Sequence, residues 1–377
     1  MDGDLEAAAL RFARALPDHL GQLVRCESPS TDNAALARSA ELVARIGEEY
    51  LGVAPEVLEI DGRPHLRWRF GTLDESRLLI LGHHDTVWPI GTLKAFPWTE
   101  DGVRALGPGS FDMKAGLLQA FAALSLCDDK TGVTMLVTAD EELGAPTSRS
   151  LIESEAVAAG TTLVFEASAD SGAVKTARKG VSRYSIHVFG KAAHAGLEPW
   201  NGVNATVEAA RLVLAVARLT GGRDGTTVTP TLLSSGTSAN TVPAEATLIV
   251  DVRATSADEQ QRVLDALKAL EPGPGARIEV EQGPTHQPLE HRHSTELYEL
   301  LVEVAIACGI PVPEQATVGG ASDGNIAAGV GSRVLDGLGA VGAGAHAPGE
   351  YVMLDAMVKR ALLTSRFIQR ILADHAG

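Results

Sequence analysis

The chain has 377 residues, of which 45% are hydrophobic, 21% charged and only 4% aromatic, an ordinary globular composition long enough for one large domain or two medium ones. Its 32 Lys and Arg against 48 Asp and Glu leave a formal charge of −16, which repels a phosphate backbone and excludes nucleic acid as the main partner. The 39 glycines follow no collagen period and form no low-complexity block, so fibre and disorder are excluded too.

The first residues, MDGDLEAAALRFARAL, open acidic and lack the basic segment and apolar core of a secretory signal. No run of about 18 apolar residues occurs, so no membrane span is expected. Cys26, Cys127 and Cys308 are far apart and odd in number, as suits unpaired thiols in a reducing compartment. The expectation is a cytoplasmic protein.

Residues 4–26 and 33–50 read as amphipathic helices separated by the Ser28-Pro29-Ser30 break. Segments 76–82 (SRLLILG), 133–138 (VTMLVT) and 161–165 (TTLVF) are apolar runs of strand length, which suits a sheet buried between helices. The stretch AGLLQAFAALSL after Met113 supplies a helical period between two of them. This is an α/β pattern with a central, largely parallel sheet.

From residue 178 the pattern changes. Strand-like 181–188, helical 203–219, strand-like 226–233 and 246–253, helical 257–270 and strand-like 277–281 give the order β-α-β-β-α-β, the signature of a two-layer ferredoxin-like module. A helix over 294–308, a strand near 332–335 and a helix from Leu354 then resume the first style. The reading is a catalytic domain over 1–177 and 287–377, interrupted by an inserted domain over 178–286.

Acidic and histidine side chains stand just past each apolar strand. His83-His84-Asp85 comes after the first, Asp140-Glu141-Glu142 after the second and Glu166 after the third, while a Gly-rich turn delivers Asp112 ahead of a helix. Ligands of open α/β sheets gather beyond the carboxyl ends of the strands, so these groups should converge. Isolated, a Glu-Glu pair is an ordinary solvated surface and a His-x-Asp means nothing. Together, so many carboxylates around an imidazole call for a cation. Carboxylate oxygens with one imidazole per ion suit Zn²⁺, with Co²⁺ or Mn²⁺ as alternatives, and two ions about 3.5–4 Å apart would share one bridging carboxylate. On an extended chain Asp85 lies on the same side as His83 and can hold its far nitrogen. Glu141 and Glu142, if extended, point different ways, so one can bind metal while the other moves a proton.

The motifs LGHHDTVWP, GPGSFDMKAG, TADEELGA, FEAS, KAAHAG, SANTVP, DVRAT, GGASDGN and AHAPGEYV, in that order, resemble the M20 family of metallopeptidases, and within it glutamate carboxypeptidases of the bacterial folate-hydrolysing type. The resemblance spans nearly the whole chain. It implies a zinc-peptidase-like catalytic domain with a mixed, mainly parallel sheet, and a ferredoxin-like insert serving as lid and dimerisation domain of a homodimer. It further implies that His83 and Glu166 bind one divalent ion, Glu142 and His346 the other, with Asp112 bridging them, Glu141 as general base and then acid, and a cis peptide after Asp112. His194 resembles the histidine that stabilises the tetrahedral oxyanion, often in the partner subunit's site. Asn240 and Arg253 resemble lid residues that hold the substrate's terminal carboxylate, a group that a guanidinium can bind bidentately. For Arg253 the bland alternative is a strand-end salt bridge. Gly320 and Asp323 fall in a loop that can approach substrate through its backbone, with a simple tight turn as the alternative.

Other histidines read as structural. His84 should face away from the site, His187 alternates on a strand of the insert, and His19, His65, His291, His293 and His375 lie outside every motif. His286 sits near the expected return hinge, where a substrate contact is possible. Folate-hydrolysing members carry an arginine-rich segment where this chain reads Gly283-Pro284-Thr285-His286-Gln287-Pro288, so no cationic partner for a glutamate side chain is visible there. The expected activity is hydrolysis of an amide next to a free carboxylate, on a small peptide. An N-acyl-amino-acid deacylase or aminoacylase shares the scaffold, and a non-catalytic relative would have no use for a free base beside a metal. A TIM-barrel amidohydrolase would need eight βα units that the pattern does not supply.

Overall fold

The computed structural model describes residues 3–221 and 225–374. The chain folds into two compact units. The first takes the chain up to Ala177, then His291–Val318 and the stretch from Ser322 on; the second is Arg178–Glu290 with Gly319–Ala321. The second unit therefore runs past the expected return at 286, and it takes in part of the GGASDGN loop.

In chain order the first unit begins with α1 (Gly3–Arg25) and α2 (Asn33–Leu51). The Asp32 carboxylate accepts the Ala35 N–H at 2.9 Å and starts α2, while Gly52, at φ 72°, ends it. A hairpin of β1 (Glu56–Ile60) and β2 (Arg63–Phe70) comes next. No apolar run announces this hairpin, since β1 is largely exposed and β2 holds Arg63, Arg67 and Arg69. Beyond it lie β3 (Leu78–His83), α3 (Ala115–Ser125), β4 (Val133–Thr138), α4 (Arg149–Ala159) and β5 (Thr161–Val164). Every residue of β3, β4 and β5 is buried, as the apolar runs required.

The second unit supplies β6 (Gly180–Phe189), α5 (Ala205–Ala217), β7 (Thr227–Ser235), β8 (Glu245–Ala254), α6 (Ala257–Lys268) and β9 (Arg277–His286). Its four strands pair antiparallel in the order β7-β8-β6-β9. Alternate residues of β6, among them Tyr184, Ile186 and Val188, pack with Ala209, Leu212 and Val216 of α5 and Val263 and Leu267 of α6 into a core of its own. This is the two-layer β-α-β-β-α-β module. Strand β9 outruns the expected end at Glu281; as an edge strand it tolerates Pro284, with the register shifting between Gln282 and Thr285.

The chain then returns through α7 (His291–Cys308), α8 (Asp323–Gly329), β10 (Arg333–Leu335) and α9 (Leu354–Asp374). The central sheet has the order β1-β2-β4-β3-β5-β10. Strands β4, β3, β5 and β10 run parallel, and β2 and β1 add antiparallel pairs at one edge, so the sheet is mixed and mainly parallel. One hydrophobic core joins the sheet to its helices through Leu16, Leu20, Trp68, Phe121 and Phe367; each such side chain contributes about 1.5–3 kcal/mol by burial. The buried Lys114 ammonium donates to the carbonyls of Leu23 and Cys26, both at 2.9 Å, and so binds the negative end of α1 to the head of α3. No described helix is long and apolar enough to cross a membrane.

Helix α3 approaches the chain beyond β5 very closely: a Cβ on Gly116 would stand 2.1 Å from the Phe165 carbonyl oxygen. Backbone cannot yield as a side-chain tip can. Gly116→Ala should therefore lower the unfolding free energy by about 1–3 kcal/mol in urea titration, and an unchanged midpoint would refute the close approach.

Candidate metal centre

Strand register brings the acidic groups to one edge. His83 is the last residue of β3 and pairs in parallel with Thr138, the last of β4, while Leu81 pairs with Val164, the last of β5. The next residues of those two strands' chains, Asp140-Glu141-Glu142 and Glu166, thus leave the sheet beside His83. Asp112 arrives from the turn ahead of α3, through a cis peptide to Met113. His346 comes from a turn between β10 and α9, in left-handed backbone at φ 61°.

The Asp112 carboxylate stands between the two histidines. Its Oδ1 lies 3.4 Å from His83 Nε2 and its Oδ2 3.2 Å from His346 Nε2. Glu166 Oε1 is 3.3 Å from His83 Nε2, Glu142 Oε2 is 3.2 Å from His346 Nε2, and Glu141 Oε2 is further, at 3.9 Å from His83 Nε2. Ligand atoms of His83, Asp112 and Glu142 lie within 4.8 Å of one another, and so do those of His83, Glu141 and Glu166.

Asp85 organises this cluster from below. His83 Nδ1 is 3.0 Å from the Asp85 carbonyl and 3.3 Å from its Oδ1. The same buried carboxylate accepts the N–H groups of Glu141 and Glu142, at 3.3 and 3.2 Å, and the Ser30 hydroxyl at 2.7 Å. The expectation that Glu141 and Glu142 stand on an extended segment is corrected: they begin a helical turn, Glu141–Leu143, closed by Gly144 N–H on the Glu141 carbonyl. Asp85 below and Asp140 behind wind the chain there, Asp140 accepting from both the amides and the hydroxyls of Thr147 and Ser148. Sequence reasoning assigns Asp140 no role, because nothing in an isolated Asp-Glu-Glu distinguishes the anchor from the working pair.

The donor set fits a divalent ion. Glu142 Oε1 is buried with no hydrogen-bond partner, and His83 Nε2 faces carboxylate oxygens at 3.3 and 3.4 Å without a well-directed hydrogen bond to either, a costly state for polar atoms that an ion resolves. Burial pushes the Glu141 carboxyl well above its ordinary range, reinforced by Glu166, Asp323 and Glu142. It raises Glu142 too, against the pull of His346. Burial disfavours charge on His83, yet Asp112, Asp85 and Glu166 together hold its imidazole well above the usual value. Hydrogen bonds to Asp112 and Glu142 raise His346 to about 10. Imidazoles this attractive to protons occupy a site built to hold positive charge. Imidazole nitrogen with carboxylate oxygen suits Zn²⁺, Co²⁺ or Mn²⁺.

The remaining candidates divide between the two units. In the second unit, His194 is exposed and its Nδ1 accepts the N–H groups of Gly196 and Leu197 at 3.1 and 3.2 Å, which leaves the proton on Nε2 in the neutral ring. Asn240 is exposed, and its carbonyl accepts the Ala195 N–H at 2.9 Å, joining it to the His194 turn. Arg253 makes the pair its bland alternative foresaw, Nε and Nη2 donating to the two oxygens of Asp251 at 2.8 and 3.1 Å. The Gly320 carbonyl accepts from Arg178 at 3.1 Å. In the first unit Asp323 is buried at the start of α8, where it accepts the Thr138 hydroxyl at 2.9 Å and burial lifts its carboxyl to about 7.

Most of the other histidines bond to neighbours away from the cluster. His84 is buried between Ser39 Oγ and the Pro64 carbonyl, and burial lowers it to about 4. His19 meets Tyr50, His187 meets Glu281, and His291 meets Thr317. The backbone carbonyl of His286 accepts from Gln260. His375 lies outside the described residues. Glu350, which sequence reasoning misses, is wholly buried and accepts the Asp112 N–H at 2.9 Å.

Comparison with known proteins gives consistent results. Residues 79–370 match the sequence profile of peptidase family M20/M25/M40. Carboxypeptidase G2 of Pseudomonas sp. (strain RS-16) is 32% identical over 312 residues, covering 78% of this chain and 73% of that protein. Acetylornithine deacetylase of Buchnera aphidicola subsp. Schizaphis graminum (strain Sg) is 27% identical over 203 residues, 51% of this chain and 52% of its own length. Among solved structures, aminopeptidase PepT from Bacillus cereus ATCC 10987 superposes with a TM-score of 0.76 at 21% identity, over 95% of this chain and 98% of that one.

The His65 side chain, wholly buried, supports the Glu141 turn: Nδ1 accepts the Ala139 N–H at 3.2 Å, so Nε2 donates to Thr147 Oγ1 at 3.0 Å. Burial lowers its proton affinity below the ordinary 6.5. The unfolded chain therefore takes up a proton that the folded chain refuses, and stability falls as pH drops below about 6.5. Urea titrations at pH 7.5 and 5.5 should show wild type losing more stability than His65→Gln, and equal losses would contradict the assignment.

Proposed function

The chain belongs to peptidase family M20/M25/M40, and from that premise we propose that it is a dinuclear-metal hydrolase cleaving an amide bond next to a free carboxylate, as a carboxypeptidase of small peptides. The observation that carries this reading is the single Asp112 carboxylate facing two imidazoles, 3.4 Å from His83 and 3.2 Å from His346. His83, Asp112 and Glu166 would hold one ion, and Asp112, Glu142 and His346 the other, with Zn²⁺ the first choice. Bound there, two divalent ions supply Lewis acidity to the amide carbonyl and acidify the attacking water.

The chain's own residues do the rest. Glu141, half-buried and proton-attracting but further from His83 than Asp112 or Glu166, takes the proton of the attacking water and returns it to the departing amine. Asp85 acts through others, fixing the His83 ring and the backbone of Glu141 and Glu142. His194 donates its Nε2–H to the developing oxyanion, an effect of about 3 kcal/mol for such a donor. Asn240 and the Nη1 side of Arg253 bind the substrate's carboxylate, with Asp251 holding the other edge of the guanidinium. Gly320 and Asp323 bracket the loop whose backbone approaches the substrate.

The second unit would act as lid and dimerisation domain. Strand β7 is an edge strand with Leu232 and Leu233 exposed, and α5 exposes Val207 and Leu214, an apolar surface suited to a second copy. An N-acyl-amino-acid deacylase is the second reading, favoured by the likeness to acetylornithine deacetylase. It keeps the same ions, base and carboxylate clamp.

Chelator should abolish amide hydrolysis and added Zn²⁺ or Co²⁺ should restore it; activity indifferent to chelator would refute the metal reading. Glu141→Gln should lower kcat by about 10²–10⁴-fold with bound metal unchanged, and a normal kcat would remove Glu141 from the mechanism. C-terminal-glutamate dipeptides, folate and N-acyl amino acids assayed side by side decide between carboxypeptidase and deacylase. Arg253→Ala should raise KM for whichever substrate is cleaved, and equal turnover of the corresponding carboxamide would disprove the carboxylate clamp.

A further inference from the structure

We infer that Glu350 is a positioning residue that fixes Asp112 against His346 before any ion binds. Its side chain is wholly buried and both oxygens are fully used. Oε1 accepts the N–H groups of Phe111 and Asp112 at 2.8 and 2.9 Å; Oε2 accepts the Gly109 N–H at 2.8 Å and the Trp88 indole N–H at 2.9 Å. Its backbone joins the same contact, the carbonyl accepting the Gly107 N–H at 3.2 Å.

The other end of this clamp is the turn that carries His346. Ala347 N–H donates to the Gly344 carbonyl at 2.9 Å, and Glu350 N–H to the Ala347 carbonyl at 3.2 Å. One residue thus ties the loop after β3, through Trp88, and the Gly107–Asp112 turn to the segment that supplies His346. A short ladder of 104–106 against 351–353 brings these latter two pieces together, and beyond it 107–112 and 344–350 have no ladder pairing of their own. Four N–H donors converge on one carboxylate, and hydrogen bonds to an ionised acceptor are about twice as strong as neutral ones.

The clamp acts unevenly on the cluster. His83 ends a strand paired on both sides, and Glu166 leaves another strand of the same sheet. Asp112 and His346 stand on turns that run beyond a short antiparallel ladder of 104–106 against 351–353, and the Glu350 carboxylate is the side chain that bridges the two turns. Loss of the clamp should loosen the pair Asp112–His346 and leave His83 and Glu166 in place.

Glu350→Gln tests this, because an amide nitrogen in place of one oxygen opposes a donor to two N–H groups. In metal-free protein, amide exchange at Gly109, Phe111 and Asp112 should accelerate by about tenfold or more, while β3 and β4 keep their rates. Unchanged exchange in the turn, or acceleration throughout the chain, overturns the positioning role. Trp88→Phe, which removes one donor and opposes nothing, should give a smaller rise at the same amides, and it serves if the Gln variant does not fold; no rise overturns the role as well. Titration with Co²⁺ supplies the second readout and rests on the dinuclear reading above. One ion should bind as in wild type and the other about 10–100-fold more weakly. A loosened turn with both affinities unchanged overturns the link to the ligands. Wild type binding fewer than two ions refutes the dinuclear reading instead, and the exchange rates still decide the role of Glu350.

Discussion

Like charge gathered at one edge of a sheet governs this molecule. Asp112, Glu141, Glu142 and Glu166 surround His83 and His346, with ligand atoms within 4.8 Å of one another in the triads His83–Asp112–Glu142 and His83–Glu141–Glu166. Two carboxylates about 4 Å apart repel by about 4 kcal/mol at an effective dielectric constant of 20. Folding holds the group together through its surroundings, and positive charge beside the carboxylates offsets the repulsion. The raised proton affinities of Glu141, His83 and His346 are the same fact expressed by the titrating groups.

The surroundings are built largely from buried polar groups with saturated partners. Asp85 receives Ser30 and the backbone of Glu141 and Glu142; Asp140 receives Thr147 and Ser148; Glu350 receives four N–H groups. Each of these carboxylates organises backbone and leaves other carboxylates to face the cluster. The division matters chemically, since a group that must bind an ion or move a proton cannot also be the group that holds the loop. At Gly116, α3 passes so close to the Phe165 carbonyl, one residue before Glu166, that no side chain fits between them.

Much of this is legible from residues alone. Strands β3, β4 and β5 declare themselves because a strand covered on both faces must be apolar throughout. The residues just past them stand out because so many acids and histidines at strand ends have no bland explanation together. The alternation of β6 and β8 marks the two-layer unit in the same way. The hairpin of β1 and β2 is not legible, since its exposed and arginine-rich strands carry no apolar signal. The turn of Glu141 and Glu142 looks extended in sequence, because Asp85, the carboxylate that accepts both of its amides, stands more than fifty residues earlier in the chain. Glu350 escapes notice for the same reason: its partners Gly109, Phe111 and Asp112 are more than two hundred residues away in the chain.

Residue types and their short-range order set the inventory: which side chains could ligate, which strands could be buried, and the family to which the chain belongs. Such chemistry and periodicity are written locally, so no fold is needed to see them. The folded chain alone supplies the distances and the further partners: that the Asp112 oxygens stand 3.4 and 3.2 Å from the two imidazoles, that Asp85 also takes the amides of Glu141 and Glu142, that the partner of Arg253 is Asp251, and that Asp323 is buried on Thr138. Those choices depend on strand register and loop closure, and both are set by contacts between residues far apart in the chain.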